Sequence, residues 1–107
     1  MKDEQMLEKM LELVRKVRGY CDGRTYDDFV ADEMLTEACV FNLAQLGESS
    51  HKMSDEFVKL HSELAWNELY GLRNRLVHDY QGVNLNLVWE IITEDLPVLE
   101  KQLEELV

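Results

Sequence analysis

The sequence predicts an all-α protein built as an antiparallel bundle of four to five helices. Apolar residues recur at intervals of three and four along most of the chain, which is the spacing of a helix with one buried face. The chain contains a single proline. No repeat, low-complexity tract or linker divides its 107 residues, so residues 1–107 are expected to form one domain.

Two apolar patterns predict the helices of the first half. The first helix is expected to end near residues 19–23 and to bury Met6, Leu7, Met10, Leu11, Leu13, Val14 and Val17. Thr25 with Asp28 three residues later resembles the capping start of a helix. The apolar pattern that follows passes through Phe29, Met34, Ala38, Phe41, Leu43 and Leu46. Gly47 lies late in it and indicates either close packing or local weakening of the helix.

The second half is predicted to be helical over residues 65–80 and again at the C-terminus. Gly82 and Asn84 supply the expected stop between these segments. The terminal apolar stripe consists of Leu85, Val88, Ile92, Leu96, Leu99, Leu103 and Leu106. Asp95 is a candidate cap for its last part, where Pro97 would lie in the first turn at little cost.

The charge of the chain is distributed unevenly. A net charge of -11 argues against binding of nucleic acid along a broad surface, because that binding depends on Lys and Arg. Between Ser49 and His78, however, four basic residues balance four acidic ones, and all three histidines lie in this segment. We expect any anion site to lie there. The alternative is that charge simply fluctuates along the helices.

Several other classes of protein are not expected. No stretch approaches the roughly 20 apolar residues that span a bilayer, and the N-terminus lacks the apolar core of a signal peptide, so we expect a cytoplasmic protein. Cys21 and Cys39 fit no metal-ligand or disulfide pattern and are expected to be reduced and partly buried. The small size makes a homodimer plausible, because a partner subunit would cover a further helix face.

One short stretch concentrates side chains that suit a phosphodiester: Arg73, Asn74, Arg75, His78 and Tyr80. Arg can hold a phosphate through two parallel hydrogen bonds, and His can move protons near neutral pH. RNA carries its own nucleophile in the 2′-hydroxyl group, so its cleavage needs only a base, an acid and a cation. We therefore expect neither a metal nor another cofactor, and the many carboxylates are interpreted as solvated helix faces.

The spacing of this stretch leaves two arrangements open. On a regular helix, residues five apart are separated by about 140° around the axis and roughly 7.5 Å along it. Arg73 and His78 would then lie on different faces, whereas Asn74 and His78 would share one. Either the helix distorts before His78, or two copies of the chain assemble the site along this segment.

Four residues separate Arg73 from His78, and one residue separates His78 from Tyr80. This pattern resembles the signature of HEPN-domain ribonucleases, and in particular of HepT toxins. The resemblance extends over nearly the whole chain. It includes Asp27-Asp28-Phe29, Leu46-Gly47-Glu48, Met53-Ser54, His61, Trp66, Gly71-Leu72-Arg73-Asn74-Arg75, Val88-Trp89 and Asp95-Leu96-Pro97. Ala65 departs from the pattern, which has proline before the tryptophan.

The resemblance implies a HEPN-like homodimer in which two such segments face each other and form a metal-independent endoribonuclease site. It also implies a cognate minimal nucleotidyltransferase antitoxin, which inhibits the toxin by transferring AMP to Tyr80. Arg73 would bind the scissile phosphate of the RNA, His78 would be the general acid or base, and Asn74 would orient His78 or the phosphate. Glu48 and Arg75 are candidates for supporting roles.

The residues of this stretch could instead have purely structural roles. Arg73 could pair with a carboxylate such as Glu48, and His78 could be a cation favoured at any helix end. Tyr80 could pack its ring on the core. Trp66 and Trp89 are expected in the core or a dimer contact, and His51 and His61 at the surface. The alternative function is a non-catalytic helical module that binds, or is modified by, a nucleotidyltransferase partner.

Overall fold

The structure confirms the predicted all-α class. The computed structural model describes residues 2–78 and 82–107, with the backbone alone at residues 77 and 78. In chain order its helices are α1 (Lys2–Cys21), α2 (Tyr26–Ala31), α3 (Glu33–His51), α4 (Asp55–Leu60), α5 (Trp66–Tyr70), α6 (Leu72–Leu76), α7 (Leu85–Glu90) and α8 (Leu96–Leu106). A π-helical turn, Ile91–Asp95, joins α7 to α8. A short hairpin follows α6 and consists of β1 (Val77–His78) and β2 (Gly82–Val83).

Helices α1 and α3 pack antiparallel. The Sγ atoms of Cys21, at the end of α1, and of Cys39, in the first half of α3, lie 3.6 Å apart. At the opposite end, the Asp3 carboxylate accepts hydrogen bonds from the backbone and the hydroxyl of Ser54, just beyond α3, at 2.9 and 2.6 Å. Both cysteines are free and buried, as expected, and burial raises the pKa of each thiol.

The core lies between α1, α3 and the C-terminal helix, the name used here for α7, the π-helical turn and α8 together. The predicted stripe of α1 is confirmed for six of its seven residues, since Met6 is only partly buried against the core. The buried apolar residues of α1 are Leu7, Met10, Leu11, Leu13, Val14, Val17 and Cys21. Helix α3 buries Leu35, Cys39, Leu43 and Leu46. Two members of its apolar pattern instead face outward, since Met34 is 82% exposed and Phe41 is 62% exposed. Helix α3 therefore has an apolar face that residues 2–78 and 82–107 leave exposed.

Helix α2 begins with the predicted capping arrangement. The Thr25 hydroxyl oxygen accepts from the Asp28 backbone N–H at 3.1 Å, and the Asp28 carboxylate accepts from the Thr25 backbone N–H at 3.0 Å. This reciprocal pair satisfies two amides that a helix start would leave without partners. It places Phe29, fully buried, against Trp89 of α7, with ring centroids 5.1 Å apart.

Gly47 marks close packing, the first of the two alternatives left open above. A Cβ atom at this position would lie 2.9 Å from the carbonyl oxygen of Leu69 and 3.4 Å from Cβ of Leu72. The absence of a side chain therefore lets α3 contact the backbone of α5 directly. Helix α3 continues for four more residues to His51, so Gly47 does not end it.

The prediction of one helical stretch over residues 65–80 is wrong. Helix α6 ends at Leu76, and the backbone of Val77 and His78 pairs with Val83 and Gly82 in the hairpin. The Leu76 carbonyl accepts from the Asn84 backbone N–H at 3.0 Å, so a contact across the hairpin replaces the next helical bond. Gly82 adopts a φ of 78°, which suits a residue without a side chain.

The predicted cap at Asp95 is also wrong. Asp95 has helical geometry and makes no capping hydrogen bond, because the π-helical turn carries the helix through this point. The Leu96 N–H donates to the carbonyl of Ile91, five residues earlier. Pro97 does lie in the first turn of α8, as predicted. The chain thus continues as helix from Leu85 to Leu106.

The Gly47 contact predicts opposite effects for two glycine substitutions. Gly47→Ala should lower the free energy of unfolding by about 1–2 kcal/mol, because overpacking against the Leu69 backbone exceeds the gain of about 1 kcal/mol in helix propensity. Gly19→Ala, where an added Cβ meets nothing within 4 Å, should raise it by up to about 1 kcal/mol. Urea unfolding measures both. Equal stabilisation by the two substitutions would contradict the close approach.

Candidate functional site

Helix α6 presents Arg73 and Asn74 to solvent. Its inner face is anchored by Leu72 and Leu76, which are buried in the core at 3% and 0% exposure. Arg73 and Asn74 lie between these anchors in sequence and are both exposed. The packing of the two leucines therefore fixes the outward direction of a guanidinium and an amide, the groups predicted to hold and orient a phosphate.

The backbone of His78 follows this helix directly. Because α6 ends at Leu76, His78 lies in β1 and pairs with Gly82 rather than continuing the helical turn. Two arrangements were left open for Arg73 and His78, namely a helix that distorts before His78 and a site assembled from two copies of the chain. The backbone shows the first, because the helix ends before His78. Assembly of the site from two copies remains a prediction. Tyr80, the predicted site of modification, lies outside the described residues.

Arg75 lies on the reverse side of α6. Residues two apart on a helix are separated by about 200° around the axis, so Arg73 and Arg75 point to nearly opposite sides. Arg75 is half-buried and lines a groove with Asp95 of the C-terminal helix. The structure therefore does not bring the two predicted guanidiniums together in one subunit.

Glu48 is exposed on α3, one residue beyond the Gly47 contact. Across residues 2–78 and 82–107, neither Glu48 nor Arg73 takes part in a salt bridge, so the suggested structural pair between them is not formed. A supporting role for Glu48 stays a prediction. In the same described part of the chain, no group of three or more His, Cys, Asp or Glu residues could hold a metal ion.

Comparison with known proteins gives consistent matches over almost the whole chain. The family model described as "Ribonuclease HepT-like" matches residues 10–106. "Putative RNase TTE0752" of Caldanaerobacter subterraneus subsp. tengcongensis is 38% identical over 103 residues, which are 96% of this chain and 88% of that protein. "Probable ribonuclease HepT" of Thermococcus cleftensis is 30% identical over 100 residues, 94% of this chain and 91% of that protein. No solved structure matches the chain.

The chain belongs to the HepT-like ribonuclease family. This finding confirms the resemblance to the HEPN superfamily and the predicted enzyme class, a ribonuclease. The family match includes α6 and the hairpin, so the elements that position Arg73 and the His78 backbone lie within it. Within the described residues of this HepT-like chain, no helix is both long and apolar enough to cross a membrane.

The sequence did not predict a contact that positions the start of α6. The ring of His51, the last residue of α3, stacks on Tyr70 with centroids 4.5 Å apart, and its Nε2 lies 3.2 Å from the Tyr70 carbonyl oxygen. His51 is exposed, as expected, but no local pattern singled out Tyr70, which lies 19 residues away. The pair ties the end of α3 to the end of α5, directly before α6.

An exposed apolar surface adjoins the hairpin. We call it the α3 patch, and it consists of Met34, Phe41 and Val83. Met34 and Phe41 are seven residues apart and so share one face of α3. Phe41 and Val83 line a shallow groove of about 320 Å³, whose other lining residues are Thr36, Glu37, Val40 and Leu85. The α3 patch is thus continuous with the strand that pairs with β1.

Proposed function

We propose that this HepT-like ribonuclease is the toxin of a cytoplasmic toxin–antitoxin system and cleaves RNA internally, without a metal ion, at a site shared by two subunits. We further propose that a cognate minimal nucleotidyltransferase antitoxin inhibits it by transferring AMP to Tyr80. The observation that carries the proposal is the outward position of Arg73 and Asn74 on a short helix that leads directly into the backbone of His78.

Arg73 would hold the scissile phosphate. Its guanidinium can donate two parallel hydrogen bonds to phosphate oxygens and keeps its charge throughout the working pH range. Since Arg73 is exposed and forms no salt bridge within the described residues, no carboxylate there has to be displaced before a phosphate binds. Asn74, also exposed, can orient the phosphate or His78 through its amide.

His78 would supply both the base and the acid of the reaction, one from each subunit. His78 of one subunit removes the proton of the RNA 2′-hydroxyl, whose oxygen then forms a bond to phosphorus. The bond from phosphorus to the 5′ oxygen breaks, and the partner's His78 returns a proton to that oxygen. General acid and base catalysis by such a pair is effective because histidine exchanges protons near neutral pH.

The α3 patch supports the proposed dimer. Large apolar side chains exposed on one face, such as Met34 and Phe41, are typical of protein contact surfaces. Because the α3 patch includes Val83 of the hairpin, a twofold contact across it would bring two hairpins, and with them two copies of His78, towards each other. An isologous contact of this kind is the usual arrangement in homodimers.

The distribution of charge supports an RNA site in this segment. The residues outside Ser49–His78 hold the entire net charge of -11, with seven basic and eighteen acidic residues. RNA would therefore be repelled by most of the surface and least by the neutral segment that contains Arg73.

Transfer of AMP to Tyr80 joins the phenol oxygen to the α-phosphate of ATP and releases pyrophosphate. The added negative charge two residues from His78 would repel RNA.

The alternative function is a helical module without catalytic activity that binds, or is modified by, the nucleotidyltransferase. The exposed α3 patch would serve such a role equally well. Direct measurement of RNA cleavage separates the two functions, because the alternative predicts modification of Tyr80 without any nuclease activity of the unmodified protein.

Arg73→Ala and His78→Ala should each lower kcat for RNA cleavage by about 100-fold or more, since each removes a group that acts on the scissile phosphate. The measurement uses end-labelled RNA with EDTA present, and RNA with a 2′-deoxy linkage should not be cut. Lys101→Ala, which removes an exposed cation from α8, is the matched control and should retain full activity. Equal cleavage by the wild type and both site variants would refute the nuclease.

Phe41→Glu should convert the protein from dimer to monomer, because it places a charge in the centre of the α3 patch. Light scattering coupled to gel filtration gives the mass in solution. Leu60→Glu on α4, where the original side chain is 75% exposed, is the control and should leave the dimer intact. A wild-type protein that is monomeric at micromolar concentration would rule out the shared site.

Co-expression with the nucleotidyltransferase partner should increase the intact mass of this chain by that of one or more AMP groups and abolish RNA cleavage. Tyr80→Phe should prevent the increase, whereas Tyr20→Phe, at an exposed tyrosine of α1, should not. Mass spectrometry of the purified complex checks both. An unchanged mass of the wild-type chain would exclude regulation by AMP transfer, without bearing on its nuclease activity.

A further inference from the structure

A second groove lies on the reverse side of α6, between α5, α6 and the C-terminal helix. We call it the rear groove. It has a volume of about 230 Å³, and its floor is made of buried or nearly buried apolar side chains, namely Leu46, Leu69, Leu72, Ile91 and Leu99. Val98 stands at its edge with 59% of its surface exposed. Burial of apolar groups of a ligand on this floor is therefore favourable, and the floor is accessible from solvent past Val98.

The rim of the rear groove is acidic. Glu63, Glu68, Glu94 and Asp95 line it, and Arg75 is the one cation among its lining residues. Partial burial raises the pKa of Asp95, Arg75 lowers it, and the carboxylates of Glu68 and Glu90 raise it further. Burial is the largest of these effects on the pKa of Asp95, and at the rim as a whole four carboxylates accompany a single arginine.

On α8, in contrast, two carboxylates that face away from the rear groove have basic partners. On the side that faces α1, Glu100 and Glu104 are paired with Arg15 and Arg18, at distances down to 2.6 Å. Within residues 2–78 and 82–107, Glu68, Glu94 and Asp95 take part in no salt bridge. Three of the four rim carboxylates are therefore available to accept hydrogen bonds from cations of a partner, whereas Glu63 lies 3.6 Å from Nδ1 of His61.

The shape of the rear groove suits a helix. On the C-terminal helix its lining residues run from Ile91 to Gln102 in steps of three and four, so the groove follows one face over about three turns, or roughly 17 Å. Gln102 donates to the Glu63 carbonyl at 3.4 Å and closes one end. A volume of about 230 Å³ is below the range of roughly 300–1,000 Å³ for small-molecule pockets but can take the anchoring side chains of a docked helix.

From these observations we infer that the rear groove binds a basic amphipathic helix of a partner protein, with apolar residues of the helix on the floor and its Lys and Arg residues against the acidic rim. A second copy of this chain is disfavoured by its charge of -11, and an anionic membrane surface would be repelled by the rim. The inference is independent of the proposed nuclease, since it involves the side of α6 opposite to Arg73.

The test uses a synthetic 16-residue helical peptide with Leu at positions i, i+3, i+4 and i+7 and Lys on both flanks, titrated into the full-length protein by calorimetry. Glu68→Lys with Glu94→Lys should weaken binding at least tenfold. Glu12→Lys with Glu105→Lys, which changes the net charge equally at two exposed carboxylates on α1 and α8, should weaken it less than threefold. Thermal unfolding of each variant establishes that it is folded.

Two further measurements address the apolar floor. Val98→Asp should weaken binding of the peptide at least tenfold, and NMR shift changes should centre on Val98 and Leu99 rather than on Phe41. A peptide of the same composition in scrambled order, and spermidine, should bind at least tenfold more weakly. Equal loss in both charge-reversal pairs, equal affinity for the scrambled peptide or spermidine, or shift changes at the α3 patch would each overturn the inference.

Discussion

The close approach of α3 to α5 at Gly47 determines where the candidate site lies. Because Gly47 has no side chain, α3 can rest on the Leu69 carbonyl, and the chain that follows packs with Leu72 and Leu76 facing inward. On so short a helix, two buried leucines leave little freedom of rotation. They direct Arg73 outward on one side and Arg75 towards the C-terminal helix on the other.

Local patterns were sufficient to predict the parts of the fold that depend on neighbouring residues. The Thr25 and Asp28 capping pair and the apolar stripe of α1 are of this kind, since each requires only a spacing of three or four. The end of α6 was not predictable in this way. It depends on Asn84, whose backbone binds the Leu76 carbonyl from eight residues away, and the helical pattern itself continues past that point.

For the candidate site as well, the sequence predicts features that depend on neighbouring residues but not those that depend on distant parts of the chain. The residue types in the stretch from Arg73 to His78 could be identified from their chemistry, and the spacing of five correctly raised the question of whether the helix continues. The separation of Arg73 from Arg75 also follows from helical geometry. The rear groove could not be foreseen, because its walls come from α3, from residues 63–75 and from the C-terminal helix, which meet only in the folded chain.

On the proposed function and the inferred partner, the two sides of α6 would meet opposite electrostatic requirements in one strongly acidic protein. RNA requires a cation without competing carboxylates, whereas a basic partner helix requires carboxylates without competing cations. The buried leucines keep these environments apart, because Leu72 and Leu76 separate the exposed Arg73 from the acidic rim near Arg75. On the proposed function, a partner in the rear groove would touch the helix that carries Arg73 without covering the phosphate site. Partner binding and RNA binding would then not compete for the same charges.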